Sequence, residues 1–136
     1  MTDTTIRKSI FVAADPETVW AHLTDAKLLG TWFHPAKADL VEGQEFTLVS
    51  AKDGERMCYG SVQTATPHSH MKWAFSVGPL NGRMTDVDWH LTPIQGGTRL
   101  TLEHHGLLDS AEAVGLLYAL DKGWHGFLGA LYSQVA

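Results

Sequence analysis

Eight histidines are spread along the 136 residues, and two pairs stand close enough in sequence to be considered as metal ligands. His104 and His105 lie in a segment of alternating apolar and polar residues, so they point to opposite faces of a strand and cannot share one ion. His68 and His70 flank a predicted turn and would need a distant third ligand. No Cys/His spacing in the sequence matches a zinc site. The sequence therefore predicts no metal site and no cofactor.

Residues that could act as nucleophiles or as acids and bases are few. Cys58 is the only cysteine and lies in an apolar strand segment, which predicts an inert buried thiol. The sequence has no Gly-x-Ser-x-Gly elbow, and Asp86 and Asp88 fall on the polar phase of their strand. His104 falls on the apolar phase of its strand. It is either a core histidine with satisfied hydrogen bonds or a general base facing a bound substrate.

Composition excludes several classes of protein. The formal net charge is −5 and only ten residues are basic, with no run of them, which argues against a nucleic-acid partner. No apolar run is long enough to span a membrane and no signal peptide is recognisable. The single cysteine cannot form an internal disulfide. We expect one cytoplasmic domain over residues 1–136, and the sequence leaves a homodimer open.

The elements that must position these residues begin with an alternating strand over residues 5–12. Asp15 and Pro16 then start a helix, and a second short helix runs from Asp25 to Phe33 before Pro35. Residues 36–106 predict successive antiparallel strands, the first over residues 37–41. A bulge at Gly60 would exchange the faces of its neighbours, so the orientation of Cys58 and Tyr59 stays open.

The last two strands allow a prediction of register, because their apolar residues must share the inner face of the sheet. This pairs Trp89 with Leu102 and Val87 with His104, around a loop over residues 94–97. His104 is then an inward-facing polar residue on an otherwise apolar strand.

The C-terminal segment from Asp109 or Ser110 to Val135 carries apolar residues at three- and four-residue steps, which predicts one long helix. Glycines interrupt it at positions 115, 123, 126 and 129. Each costs a helix interior about 1 kcal/mol relative to alanine. The glycines must therefore serve close packing or leave space for another molecule.

These elements, in this order, resemble the START-like (SRPBCC) superfamily, and within it the AHSA branch, the homologues of the activator of the heat-shock-protein ATPase. The matching segments are residues 14–20, 23–25, 32–35, 60–62, 96–102, 104–107 and 123–124. The resemblance implies an α+β helix-grip fold, in which a curved antiparallel sheet surrounds a long C-terminal helix and two short helices follow the first strand. It also implies an apolar cavity between the sheet and that helix.

Superfamily members bind lipids, sterols, hormones or polyketides, and some catalyse cyclisation or hydrolysis. The resemblance therefore predicts a protein that binds a small hydrophobic or amphipathic molecule. The residues expected to line its cavity are Trp32, Trp73, Phe75, Trp89, Leu102, His104, Leu120 and Trp124. A plain filled core explains the same aromatic residues equally well.

Two alternatives stay open from the sequence. One is an enzyme of the cyclase or hydrolase type that uses the same cavity, with His104 as its base. The other is a stress- or chaperone-related regulatory protein that binds through its sheet surface. The chaperone-activating members carry an additional N-terminal domain that this sequence does not show, which argues against a chaperone partner.

Overall fold

The computed structural model describes residues 3–136 and has the α+β architecture of the helix-grip fold. One curved antiparallel sheet of six strands has the order β1-β6-β5-β4-β3-β2. The strands are β1 (Asp3–Val12), β2 (Glu45–Val49), β3 (Arg56–Thr66), β4 (His70–Val77), β5 (Thr85–Ile94) and β6 (Gly97–Leu108). The helices are α1 (Pro16–Thr24), α2 (Ala26–Leu29) and α3 (Val114–Gln134). The predicted fold class is therefore confirmed.

The two short helices begin as predicted from their capping residues, but α2 ends at Leu29 and not at the predicted Phe33, because the Gly30 and Thr31 amides bond to carbonyls three residues back. The Asp15 side chain accepts a hydrogen bond from the Thr18 amide at 2.8 Å, and Pro16 occupies the first turn of α1. Asp25 ends α1 and caps α2 by accepting from the Lys27 amide. The helices bury Val19, Leu23 and Leu29 beneath the sheet's inner face.

The predicted strand over residues 37–41 is wrong; the neighbouring residue Ala36 forms an isolated bridge with Leu48. The backbone of this segment bonds to both neighbours, since the Leu40 amide donates to the Thr24 carbonyl of α1 and the Lys37 amide donates to the Thr47 carbonyl of β2. The segment therefore ties the helical end of the fold to β2.

The predicted register of β5 and β6 is confirmed, with Trp89 opposite Leu102 and Val87 opposite His104. The connecting turn is tighter than the predicted loop over residues 94–97, because Ile94 and Gly97 still pair. His104 is fully buried on the inner face.

Helix α3 lies against the inner face through Trp124, Leu128 and Leu131. It starts later than predicted, because residues 111–113 form a tight 3-10 turn before the regular helix begins at Val114. Its N-cap residue, Ala113, supplies no side-chain cap. The part of the chain that the structure describes contains no helix that is long and apolar enough to cross a membrane.

Candidate functional site

A cavity of about 440 Å³ lies between α3, the paired ends of β3 and β4, and the segment that follows α2. Its lining is almost entirely apolar. The lining residues are Phe33, His34, Met57, Cys58, Phe75, Val77, Gly78, Pro79, Leu116, Ala119, Leu120, Gly123, Trp124 and Phe127. Met57 is 42% exposed, so the cavity reaches the surface at the start of β3.

Three of the residues predicted from the sequence line this cavity, namely Phe75, Leu120 and Trp124. The other five lie elsewhere. Trp73, Trp89, Leu102 and His104 are fully buried in the core, and Trp32 lies along a separate groove on α3.

The core tryptophans contact the cavity wall through Trp124. The Trp124 ring lies 5.7 Å from Trp89 and 5.9 Å from Phe75, measured between ring centroids. Trp73 in turn makes an edge-to-face contact with Trp89 at 5.3 Å. A molecule that moves Trp124 would therefore disturb the packed aromatic core.

His104 is held by hydrogen bonds on both ring nitrogens. The Thr85 hydroxyl donates to the Phe75 carbonyl at 2.8 Å, so its oxygen accepts from His104 Nε2–H at 2.7 Å. His104 Nδ1 accepts from the indole Nε1–H of Trp124 at 3.0 Å. This pattern assigns the neutral tautomer with its proton on Nε2.

Burial supports the same assignment, because desolvation lowers the pKa of His104 from 6.5 to about 4, and the nearby charge of His105 adds to the effect. A base at this position would have to release its hydrogen bond from Trp124 before it could take a proton. In this geometry His104 orients Trp124 at the cavity wall.

His34 is the polar side chain that sequence reasoning missed. It lines the cavity between two aromatic rings, 4.6 Å from the centroid of Phe33 and 5.3 Å from that of Phe127. Partial burial lowers its pKa below 6.5, so the ring is neutral at pH 7 and offers one donor and one acceptor. It lies in the irregular segment between the end of α2 at Leu29 and Pro35, where no periodic pattern could have assigned it to a face.

The structure settles the faces of the residues before Gly60. Cys58 is buried and lines the cavity, whereas the Tyr59 ring lies under the Arg56 guanidinium at 4.2 Å, outside it. Burial raises the pKa of the Cys58 thiol to about 12, which keeps it protonated and unreactive. The register shifts of β3 fall between Val62 and Thr64 and between Arg56 and Cys58, while pairing is regular from Cys58 to Val62, so no bulge lies at Gly60.

The glycines of α3 leave space and do not serve close packing. A Cβ atom built on Gly115, Gly123, Gly126 or Gly129 would meet no atom within 4 Å outside its own helical turn. Gly123 lines the cavity, so its missing side chain leaves room there. Gly115, Gly126 and Gly129 are exposed.

Comparison with known proteins places the chain in a family. The model of the family described as "Activator of Hsp90 ATPase homolog 1-like protein" matches residues 13–136. No curated protein matches the sequence.

Several solved structures share the fold. Protein MLL2253 from Mesorhizobium loti is 22% identical with a TM-score of 0.82, over 96% of this chain and 95% of that one. The Aha1 dimer from Colwellia psychrerythraea is 18% identical with a TM-score of 0.80, over 97% and 96%. CalU16 from Micromonospora echinospora is 23% identical with a TM-score of 0.75, over 98% and 76%. The chain therefore belongs to the family of Activator of Hsp90 ATPase homolog 1-like proteins, within the START-like superfamily.

Proposed function

We propose that this protein binds a small, mainly hydrophobic molecule in the cavity between α3 and the ends of β3 and β4. The observation that carries the proposal is the combination of about 440 Å³ of space and a lining in which His34 is the main polar group. Ligand pockets in proteins have volumes of roughly 300–1,000 Å³ and few polar groups. The cavity fits that description.

The lining also limits the chemistry of the ligand. Its titratable side chains are His34, which is neutral at pH 7, and the protonated thiol of Cys58. A charged group placed among these side chains would lose its hydration without gaining a partner. We therefore infer an uncharged ligand, or one whose charged end stays in solvent near Met57. A hydroxyl or carbonyl group on the ligand would bind His34.

Binding without turnover is the form of this function that the geometry favours. Both ring nitrogens of His104 already have partners, and the Cys58 thiol is not activated. The enzyme alternative would require another general base, and His34 is the one candidate among the side chains that line the cavity.

A homodimer is a second proposal. It is supported by the structure from Colwellia psychrerythraea, which is described as a dimer. Light scattering on the purified protein tests it, and a monomeric mass across the working concentration range would exclude it.

The cavity is tested by filling it from the helix side. Gly123→Leu places a side chain into open cavity space, and Gly115→Leu makes the same change on the exposed surface of the same helix. We expect the uncharged fluorescent probe N-phenyl-1-naphthylamine to bind wild type and Gly115→Leu equally well. Gly123→Leu should bind it at least about tenfold more weakly, a loss of about 1.4 kcal/mol.

The two glycine variants control for each other, because leucine favours the helix at both positions. Equal probe affinity in Gly123→Leu and Gly115→Leu would mean that the probe binds elsewhere and would contradict the proposal. Native mass spectrometry of wild type would then identify any molecule that copurifies.

A further inference from the structure

The outer face of the sheet, away from the cavity, carries a cluster of histidines and carboxylates on three neighbouring strands. His70 on β4 and Asp88 and His90 on β5 offer ligand atoms that all lie within 4.8 Å of one another. These three side chains are half-buried. Such a set has the composition of a metal site, with two imidazole nitrogens and one carboxylate.

Strand pairing explains why these residues meet. His70 and His90 face each other directly across the β4–β5 pair, and their rings stack with centroids 4.7 Å apart. Asp88 is two residues before His90 on the same strand, so it lies on the same face. The spacing of the sequence pairs His70 with His68 across the turn. The actual partner is twenty residues further along the chain, which only the pairing of β4 with β5 reveals.

The surrounding contacts orient the cluster for a cation. Asp88 Oδ1 accepts from His70 Nε2 at 2.7 Å, while its second oxygen, Oδ2, is held by His105 Nε2 at 3.1 Å. His90 Nε2 lies 3.2 Å from Glu103 Oε1. Glu103 in turn pairs with Arg7 at 2.6 Å, which offsets its charge. Asp88 contacts two imidazole rings and is the carboxylate placed to share a cation with His70.

We propose that His70, Asp88 and His90 bind a divalent transition-metal ion, best matched by Zn²⁺, on the outer face of the sheet. To bind the ion, His70 would have to carry its proton on Nδ1, so that the lone pair of Nε2 faces the ion in place of the hydrogen bond to Asp88 Oδ1. Metal–ligand bonds of about 2.0–2.1 Å in a tetrahedral site place neighbouring ligand atoms roughly 3.4 Å apart. The 2.7 Å distance between His70 Nε2 and Asp88 Oδ1 then has to increase slightly, and the His90 ring has to approach. Side-chain rotation on this half-exposed face allows both movements.

Three features set the character of the site. Three protein ligands leave the fourth position of a tetrahedral ion to water, as in sites that bind a further small molecule. Lys72 lies opposite Asp88 in the strand register. Its positive charge repels the ion and lowers the affinity of the site for Zn²⁺. His105 keeps its hydrogen bond to Asp88 Oδ2 and holds the carboxylate in place.

The test uses tag-free protein stripped with a chelator and titrated with ZnCl₂ by isothermal titration calorimetry. We expect one ion per chain for wild type. His70→Gln and His90→Gln should each weaken Zn²⁺ binding at least about tenfold, and His105→Gln should weaken it less. The matched control is His125→Gln, which removes an exposed histidine on α3 and should bind like wild type.

Folding is checked by circular dichroism and by the unfolding temperature without metal. The side chains of His70 and His90 are 34% and 44% exposed, so their replacement should leave the fold intact. Zn²⁺ should raise the unfolding temperature of wild type and not that of the double variant His70→Gln/His90→Gln. Stoichiometric binding that persists in the folded double variant would overturn the proposal. So would the absence of binding to wild type at millimolar Zn²⁺.

Discussion

His104 should make the stability of this fold depend on pH in the weakly acidic range. The folded ring stays neutral down to a pKa of about 4, because burial disfavours its charged form and the nearby charge of His105 adds to the effect. In the unfolded chain the same ring titrates near 6.5. The unfolded state therefore binds a proton between these two values while the folded state does not.

The sign and size of the effect follow from linkage. Because folding lowers the pKa of His104, this residue leaves the free energy of unfolding unchanged above pH 6.5. It reduces that free energy increasingly as pH falls towards 4. Each pH unit inside this window costs about 1.4 kcal/mol. Lowering the pH from 7 to 5 should therefore reduce the free energy of unfolding by about 2 kcal/mol through His104 alone.

The assay is urea unfolding of wild type and His104→Gln at pH 7, 6 and 5. Glutamine does not titrate, so the variant should lack this part of the pH dependence. We expect the variant to be less stable at pH 7 by about 1–3 kcal/mol, because the hydrogen bonds to Thr85 and Trp124 are disturbed. That difference should shrink by about 2 kcal/mol at pH 5.

Carboxylates whose pKa values the fold lowers, such as Glu103, also lose stabilisation as pH falls. They are present in both proteins, so their contribution cancels in the difference. Parallel pH profiles for wild type and His104→Gln would refute the reasoning. His125→Gln should follow wild type. If His104→Gln does not fold, the histidine NMR resonances of wild type give the pKa of His104 directly, and a value near 6.5 would refute the assignment.

Two further predictions concern β3. Gly60→Ala should destabilise the protein by more than about 2 kcal/mol in urea unfolding, because the new Cβ atom would collide with the Ala74 carbonyl across the strand pair; an unchanged midpoint would show that the strands can separate there without cost. Cys58 should react with a thiol reagent such as 5,5′-dithiobis(2-nitrobenzoic acid) only as fast as the protein opens, since burial raises the pKa of its thiol to about 12. Fast stoichiometric labelling of folded protein at pH 7.5 would contradict this account of the cavity wall.

The sequence predicted the β5–β6 register because the two strands adjoin one turn and one face of each is apolar. The predicted register placed His104 on the inner face of the sheet and His105 on the outer face, and the structure confirms both. The caps at Asp15 and Asp25 are local in the same sense, since each bonds to an amide within three residues.

The position of the cavity could not be predicted in this way. It depends on where α3 crosses the sheet, and that crossing leaves the space beside Phe75 and Leu120 and fills the space around Trp73 and Trp89. All four are large apolar residues that the sequence pattern places on inward faces. Residue type therefore does not distinguish a residue of the cavity wall from a residue of the filled core. His34 was missed because it lies in an irregular segment, where no periodicity assigns a face.

The position of β1 at one edge of the sheet has a consequence for how the chain folds during synthesis. β1 pairs with β6, so residues at the N-terminal end find their partners about 100 positions later, with Asp3 opposite Leu108. Until β6 has left the ribosome, the nascent chain contains no strand with which β1 pairs. Pairing over such long sequence separations is slow, because the entropy of closing the loop must be lost before the contacts form. Strand β1 therefore stays unpaired until β6 has been synthesised, and chaperones would encounter it as an exposed strand edge.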